Sequence, residues 1–409
     1  MNYKLLLSAI ILCLGLIQVV TSQDIEDTLS FRKYDILPAI SYSPETKLTL
    51  GVIGYRYLDF TKEDLTTSMS FVNFIAVYTT ANQIVIKSNW DIFTDGNAYR
   101  FRGSAFYNKF PDRNYGIGND AGVLVMEYEL KNGMVTDTDQ VNFLRYSINR
   151  ITFKPVVLKK IKDNLYIGLQ ADIEHQYKFE VLPDSFQILN QASEVTILNA
   201  NTLGYRAGFG LNLLWDSRDN ILNPRTGSFI EFSNLNYGKF LGSKYSYTSF
   251  LLDTRKYYNT LKNHTLAFRG YLNFRYSNDP VIPIRGLSRV GGNSFIRGYF
   301  TGTYQDDHLA AFETEYRMPF WNDDTDAPLK HFWKRLGMVF FASGAQVYGQ
   351  DGNFGFDRFN YAVGGGLRVL FNSESRLNIR IDYAVGLTKD SAGPGDQQTG
   401  LYFFLSEAF

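Results

Sequence analysis

Side chains able to do chemistry are few and scattered along this chain. His308 stands just before Glu313, and Ser294 lies near enough in sequence to approach it. A Ser–His pair is what an ester-cleaving site would require. No Gly-x-Ser-x-Gly turn and no His-Glu-x-x-His helix accompanies them. The other histidines, His175, His264 and His331, are far apart in the chain. A solvated loop histidine is the better reading of His308, and no enzymatic activity is expected. "DGNFGFD", Asp351 to Asp357, offers spaced acids of the kind that hold Ca²⁺, but it lacks the full EF-hand ligand pattern. A polar outer loop fits it better, so neither a metal nor a cofactor is expected. "GGNSFIRGYF", Gly291 to Phe300, combines three glycines, one arginine and three aromatics. Glycines beside a cation can cradle phosphate, but a P-loop needs Gly-Lys-Ser/Thr opening a helix, and none is present. What Arg297 does depends on the elements that place it.

Those elements belong to an exported chain. Its 409 residues carry 41 basic and 41 acidic side chains, which argues against a nucleic-acid partner. Aromatics reach 16%, with 28 Tyr and 33 Phe, as in barrels whose aromatic girdles ring both membrane interfaces. Residues 1–22 read as a signal peptide. Lys4 supplies the positive start, Leu5 to Val20 the apolar run, and Val20 to Ser22 a small-residue cleavage site. An N-terminal membrane anchor is the alternative reading. The single cysteine, Cys13, falls inside this run, so thiol chemistry is not expected in the mature chain. Beyond Ser22 no apolar run approaches the roughly 18 residues of a spanning helix.

The remaining chain alternates with period two. In "RLNIRIDYAVGL", Leu377, Ile379, Ile381, Tyr383, Val385 and Leu387 share one face, opposite Arg376, Asn378, Arg380 and Asp382. "HTLAFRGYLNFRY" sets Leu266, Phe268, Leu272 and Phe274 against Arg269, Asn273 and Arg275. Arginines so placed cannot face lipid, and a wet lumen satisfies them. A soluble β-sandwich also alternates, but it seldom repeats the pattern over nearly a whole chain. The fold class is therefore all-β, a transmembrane antiparallel β-barrel over residues 35–409, preceded by a short periplasmic segment, 23–34. About sixteen strands are expected: 35–43, 47–58, 67–79, 82–93, 97–109, 143–155, 163–176, 202–215, 227–238, 245–257, 263–276, 308–319, 335–348, 359–371, 376–387 and 398–408. With periplasmic termini, the long gaps 110–142, 177–201 and 277–307 are outer loops. The long inner gap, 320–334, has no evident purpose. Phe409 ends an amphipathic last strand, with Leu401, Phe403 and Leu405 expected on its face.

In this frame three passages resemble the barrel-insertase superfamily typified by BamA and TamA, also called the bacterial surface antigen family. Arg297, Gly298 and Tyr299 resemble the Arg-Gly-Phe/Tyr of its sixth extracellular loop, which folds into the lumen. "LLWDSRDNILNPRTGSFIEF" resembles its Asp-Arg-Asp, Pro-x-x-Gly periplasmic turn, here Asp216, Arg218, Asp219, Pro224 and Gly227. "AFETEYRMPF" resembles its Glu-Tyr-Arg-x-Pro strand, and the terminal Phe409 its barrel recognition signal. The resemblance implies a latch in which Arg297 meets Glu315. Alternation points Glu313 inward as well, and an arginine inside a lumen must find an anion. The family often supplies a second acid in a Phe-x-Asp-x-Gly strand; here the match is "FFASG", with Ala342 at that place. Periplasmic POTRA domains and patatin-type lipases of family members find no counterpart. The dozen or so residues from Gln23 to the first strand fall far short of the ~50 of a small domain.

The resemblance implies a barrel of the Gram-negative outer membrane that helps insert or export proteins or lipids. Its expected company is the lipid bilayer, periplasmic or lipoprotein partners and client barrels. A low-conductance pore or a structural surface barrel is the alternative. A weak first-to-last-strand seam separates the two readings. Pro38 in the first strand lacks a ladder donor and Gly400 lies near the start of the last, and both fit a labile closure.

Overall fold

The computed structural model describes residues 33–43, 47–58, 60, 67–80, 82–119, 144–181, 203–261, 263–277, 286–292, 295–320, 334–350, 352–388 and 398–409. The signal-peptide region with Cys13, most of the 23–34 segment, Ser294, His331, Asp351 and most of the 320–334 gap lie outside them. Among the described residues no helix is long and apolar enough to cross a membrane.

Sixteen strands form one antiparallel sheet in sequence order. They are β1 (Tyr34–Ser43), β2 (Lys47–Leu58), β3 (Ser70–Thr79), β4 (Ile84–Phe93), β5 (Tyr99–Asn114), β6 (Leu144–Lys162), β7 (Leu165–Val181), β8 (Gly204–Asp216), β9 (Gly227–Tyr237), β10 (Tyr247–Asn259) and β11 (Thr265–Ser277), then β14 (His308–Pro319), β15 (Leu336–Tyr348), β16 (Asn360–Asn372), β17 (Leu377–Gly386) and β18 (Thr399–Leu405). The two strands that interrupt the order, β12 (Ser288–Val290) and β13 (Tyr304–Asp306), pair with each other inside the loop between β11 and β14. Sequence alternation gives no sign of so short a hairpin. Strands β5, β6 and β7 run longer than alternation suggested, continuing past Pro111 and Pro155 to form a tall wall.

The sheet inverts the pattern of a water-soluble protein. Along β8, Tyr205, Phe209, Leu211 and Leu213 are exposed while Arg206 and Asn212 are buried. On β7 Ile167 and Leu169 are exposed, and Gln170, Asp172 and Glu174 are buried. An apolar outside around a polar inside is the arrangement lipid requires, because charge facing hydrocarbon costs kilocalories and an inward face is wet.

β1 pairs with β2 and β18 pairs with β17, so β1 and β18 are the two ends of the sheet, and they lie close to each other. Apolar packing and hydrogen bonds connect these ends: the Asn372 amide donates to Asp35 of β1 at 2.8 Å, and the Tyr57 hydroxyl lies 3.0 Å from that of Ser375. Leu377 and Ile379 lie on the outward side of β17, because Asn378, Arg380 and Asp382 turn to lumenal partners. Both are nonetheless buried, in a cluster with Leu37, Tyr55, Tyr57 and Phe71 of β1–β3, and Phe403 and Leu405 of β18 pack against it.

The last strand also departs from expectation. It stops at Leu405, and Ser406 adopts φ 64°. The chain then enters the lumen. Phe409 therefore does not share a face with Leu401, Phe403 and Leu405; its ring is buried against Tyr257 and Ala267. A polar lumen lined by arginines offers this tail partners that an outward strand end would lack.

A lumenal latch as candidate functional site

Residues 286–292 and 295–307 return from the rim into the barrel and lie against the β11 and β14–β17 wall. Val290, Phe295, Ile296, Tyr299 and Tyr304 pack with Leu309, Ala311, Ala345, Val347 and Ala362. Gly298 has φ 116° and sits so close to β17 that a Cβ would lie 2.8 Å from the Gly386 nitrogen. Only glycine fits both the backbone and the gap. Its N–H donates to the Tyr402 hydroxyl at 2.9 Å. The Tyr299 hydroxyl donates to the Tyr361 carbonyl and accepts from the Thr388 N–H, each at 2.9 Å. The Arg-Gly-Tyr run is thus stitched to β16, β17 and β18.

Arg297, 1% exposed, reaches three carboxylates. Its Nη2 lies 2.6 Å from Glu313 and 2.5 Å from Glu315, and its Nη1 lies 2.6 Å from Asp382. Its guanidinium sits 3.5 Å from the centre of the Phe341 ring. Charge-assisted bonds in a dry setting, on a flat cation stacked on an aromatic face, are the contacts arginine makes best. The glycine-rich β16 makes room: a Cβ on Gly364 would strike Phe341, and one on Gly366 would strike Asp382.

The sequence expectation about Ala342 is corrected here. Ala342 is exposed on the outer face of β15, and its neighbours Phe341 and Ser343 point inward. No lumenal acid has been lost at that position. The further carboxylate comes from Asp382 on β17, whose alternation already marked it as inward. Sequence alone could not bring it to Arg297, because 85 residues separate them.

The latch continues toward the periplasmic end. Glu315 also holds Arg317 at 2.8 Å. Arg317 donates to the Phe409 carbonyl at 2.9 Å and to the Pro224 carbonyl at 3.3 Å. Arg368 bridges Asp382 at 2.6 Å and Glu407 at 2.8 Å, and Asn378 donates to Glu407 at 2.7 Å. Arg368 and Glu407 were not singled out from sequence, and Arg317 was read there as the arginine of the Glu-Tyr-Arg-x-Pro strand, without its partners. Each is one of many inward polar residues until the tail brings them together.

The β8–β9 turn is the lower half of the same construction. Asp216 accepts from Arg218 and, at 2.8 Å, from the fully buried Arg100, which also clamps Asp91. Asp219 accepts from the N–H groups of Arg225 and Thr226 and pairs with Arg376 at 2.5 Å. Burial alone would raise the Asp219 carboxyl, but the Thr226 and Arg225 N–H groups and the Arg376 guanidinium hold it below its ordinary range. Gly227, at φ 100°, closes the turn. The turn crosses to the far side: Asn220 donates to the Ser375 carbonyl, Leu222 joins the seam cluster, and its carbonyl accepts from the Glu407 N–H.

Other singled-out residues stand apart. Pro38 is exposed opposite Val52 of β2, and Gly400 lies opposite Ala384 of β17. They lie on β1 and β18, the two strands at the ends of the sheet. His308 is not a solvated loop residue; it opens β14, accepts from the Arg275 N–H and packs against Tyr276 and Tyr348. Asp357 sits in the outer loop after β15, and among the described residues no acid or histidine group has metal-binding geometry.

A lipid-facing β-sheet of sixteen strands with a loop latched inside its lumen defines an outer-membrane barrel of the internally plugged class. The chain belongs to the Omp85 superfamily, whose domain matches residues 68–409, and that membership places it in the Gram-negative outer membrane. Its fold is similar to BamA from Haemophilus ducreyi lacking POTRA domains 1–3, at TM-score 0.55 and 12% identity, covering 92% of this chain and 70% of that one. It is also similar to CdiB from Acinetobacter baumannii (TM-score 0.52, 12% identity, 92% and 60% covered). CdiB from Escherichia coli gives TM-score 0.52 and 9% identity, with 92% and 64% covered. The chain thus spans less than two thirds of either CdiB. No curated protein matches it.

Proposed function

We propose that this barrel assists the insertion or export of proteins or lipids at the outer membrane, together with periplasmic or lipoprotein partners and with client barrels as substrates. The observation that carries the reading is the seam. At the two ends of the sheet β18 and β1 meet beside an apolar cluster, with Asn372 donating to Asp35 and Tyr57 meeting Ser375 across it, and the last strand turns inward early. Apolar side-chain packing can slide open at lower cost than a row of backbone hydrogen bonds in lipid, where each unpaired group is expensive. The Arg297 latch and the β8–β9 turn would keep the rest of the barrel rigid while that junction gives way. Membership of the Omp85 superfamily supports the same reading. No bond-breaking step is assigned to the protein, and it needs no cofactor.

The test combines two measurements. The natively expressed barrel, gently extracted, should bring down a periplasmic or lipoprotein partner, or nascent barrels. Cysteines at Leu37 and Leu405, joined by a flexible bifunctional reagent, should abolish client insertion in reconstituted vesicles. A barrel that purifies alone and is indifferent to the tether would point instead to the pore reading. That second reading has one observation of its own, a polar wall across β4–β7 away from the β11 and β14–β16 face on which the described residues of the latched loop pack.

A further inference from the structure

We infer that the lumen wall formed by β4, β5 and β6 holds a binding station for a small oxyanion of the phosphate type. The register sets it up. Lys87 stands opposite Phe106 of β5, and Phe106 stands opposite Thr152 of β6. Arg150 and Lys154 flank Thr152 two residues to either side, so all share its inward face. Arg150 lies over the Phe106 ring at 4.9 Å. Lys87 comes within electrostatic range of both Lys154 and Arg150. Three cations therefore gather around one aromatic floor, at barrel depth, with the hydroxyl of Thr152 between two of them.

The acids near them among the described residues are shared with other groups. Asp172 and Glu174 of β7 pair with Lys154 at 3.1 Å and with Arg150 at 3.7 Å. Both are shared with Arg206, which lies 3.7 and 3.3 Å away. Glu174 also accepts from Thr152 and from Gln176. Lys87 has no carboxylate partner among the described residues, and Asp91, two positions along on its own strand face, is clamped by Arg100. Like charges held together away from bulk water repel, and a bound anion relieves that repulsion.

The wall is also reachable. The latched loop packs on β11 and β14–β17. Among the described residues its contact with β5 is at the rim, where Gln305 meets Asn114 and Gly116. The side chain of Lys154 is 42% exposed and that of Arg150 19%. An oxyanion offers several acceptor oxygens to two ammonium groups and a guanidinium fork at once. A halide offers one sphere of charge, so a phosphate-type ligand is preferred over chloride.

The experiment is calorimetric titration of the whole barrel in detergent with inorganic pyrophosphate at constant ionic strength, beside thermal unfolding with and without it. Pyrophosphate should bind the native barrel, with chloride competing weakly, and should raise its unfolding temperature. Lys87→Gln should weaken binding about tenfold, the loss expected for one charge-assisted contact. The same change should leave the barrel folded and slightly more stable without anion, because it removes a repelling charge that has no partner. Lys256→Gln, on β10 away from the cluster, should bind as the native protein does. No binding heat at millimolar pyrophosphate overturns the proposal, and so does binding that survives Lys87→Gln. Neither outcome bears on the seam, whose tests are tethering and co-purification.

Discussion

Beside β14–β17 the lumen holds Arg297, Arg317, Arg368 and Arg380 against Glu313, Glu315, Asp382 and Glu407, whereas at the β18–β1 junction Leu37, Leu377, Ile379 and Leu405 meet. The first region is specified by direction and distance, since each buried charge is costly unless its partner stays in place. The second combines apolar contact, which has no preferred angle, with a small polar set in which Asp35 of β1 accepts from Asn372 and from Tyr57, and Tyr57 meets Ser375. The tail segment 406–409 connects the two regions, leaving the seam strand to end among the arginines.

Several substitutions would break or sharpen this contrast. Arg297→Ala should have the largest effect. It leaves Glu313 without its ion pair and strips a cation from Glu315 and Asp382, a change that costs about 3–5 kcal/mol when buried charges lose a partner. The loop should become sensitive to protease and bilayer leak should rise. Unchanged conductance together with unchanged protease resistance would end the latch assignment. Leu377→Ala removes a fully buried seam side chain and should cost about 2–4 kcal/mol in thermal unfolding. Unlike the first change, it should leave loop proteolysis as it was. If both changes loosen the loop equally, the two regions are not separate.

Ala342→Asp tests the orientation of β15. On the lipid face it should destabilise by about 1–2 kcal/mol, less than a cation would at that depth, and should add nothing to the latch. Greater stability or greater loop protection would place position 342 in the lumen after all. The smallest effect is expected at Asp219. Its carboxyl is held below the ordinary range, so it contributes stability above about pH 4, and that contribution fades as the pH falls through its folded value. Asp219→Asn should flatten that acid limb of the unfolding profile by less than about 1 kcal/mol, the group being half-exposed.

Much of this protein was determined by its sequence. Period two, with arginines on one face and Phe, Leu and Ile on the other, admits a membrane barrel and little else, because lipid tolerates neither open sheet edges nor exposed charge. The same alternation placed Glu313, Glu315 and Asp382 inward, and the Arg-Gly-Tyr run marked the loop that meets them. Alternation says which face a residue takes, but it carries no information about which distant inward residue it will touch. Choosing Asp382 rather than position 342 as the third carboxylate required the closed geometry of β14–β17 and the space left by Gly364 and Gly366. The inward tail, the crossing of the β8–β9 turn and the packing where the two ends of the sheet meet are likewise contacts between segments far apart in the chain. Only the tertiary structure decides these, because buried charges and side-chain packing select among partners that local pattern leaves equivalent.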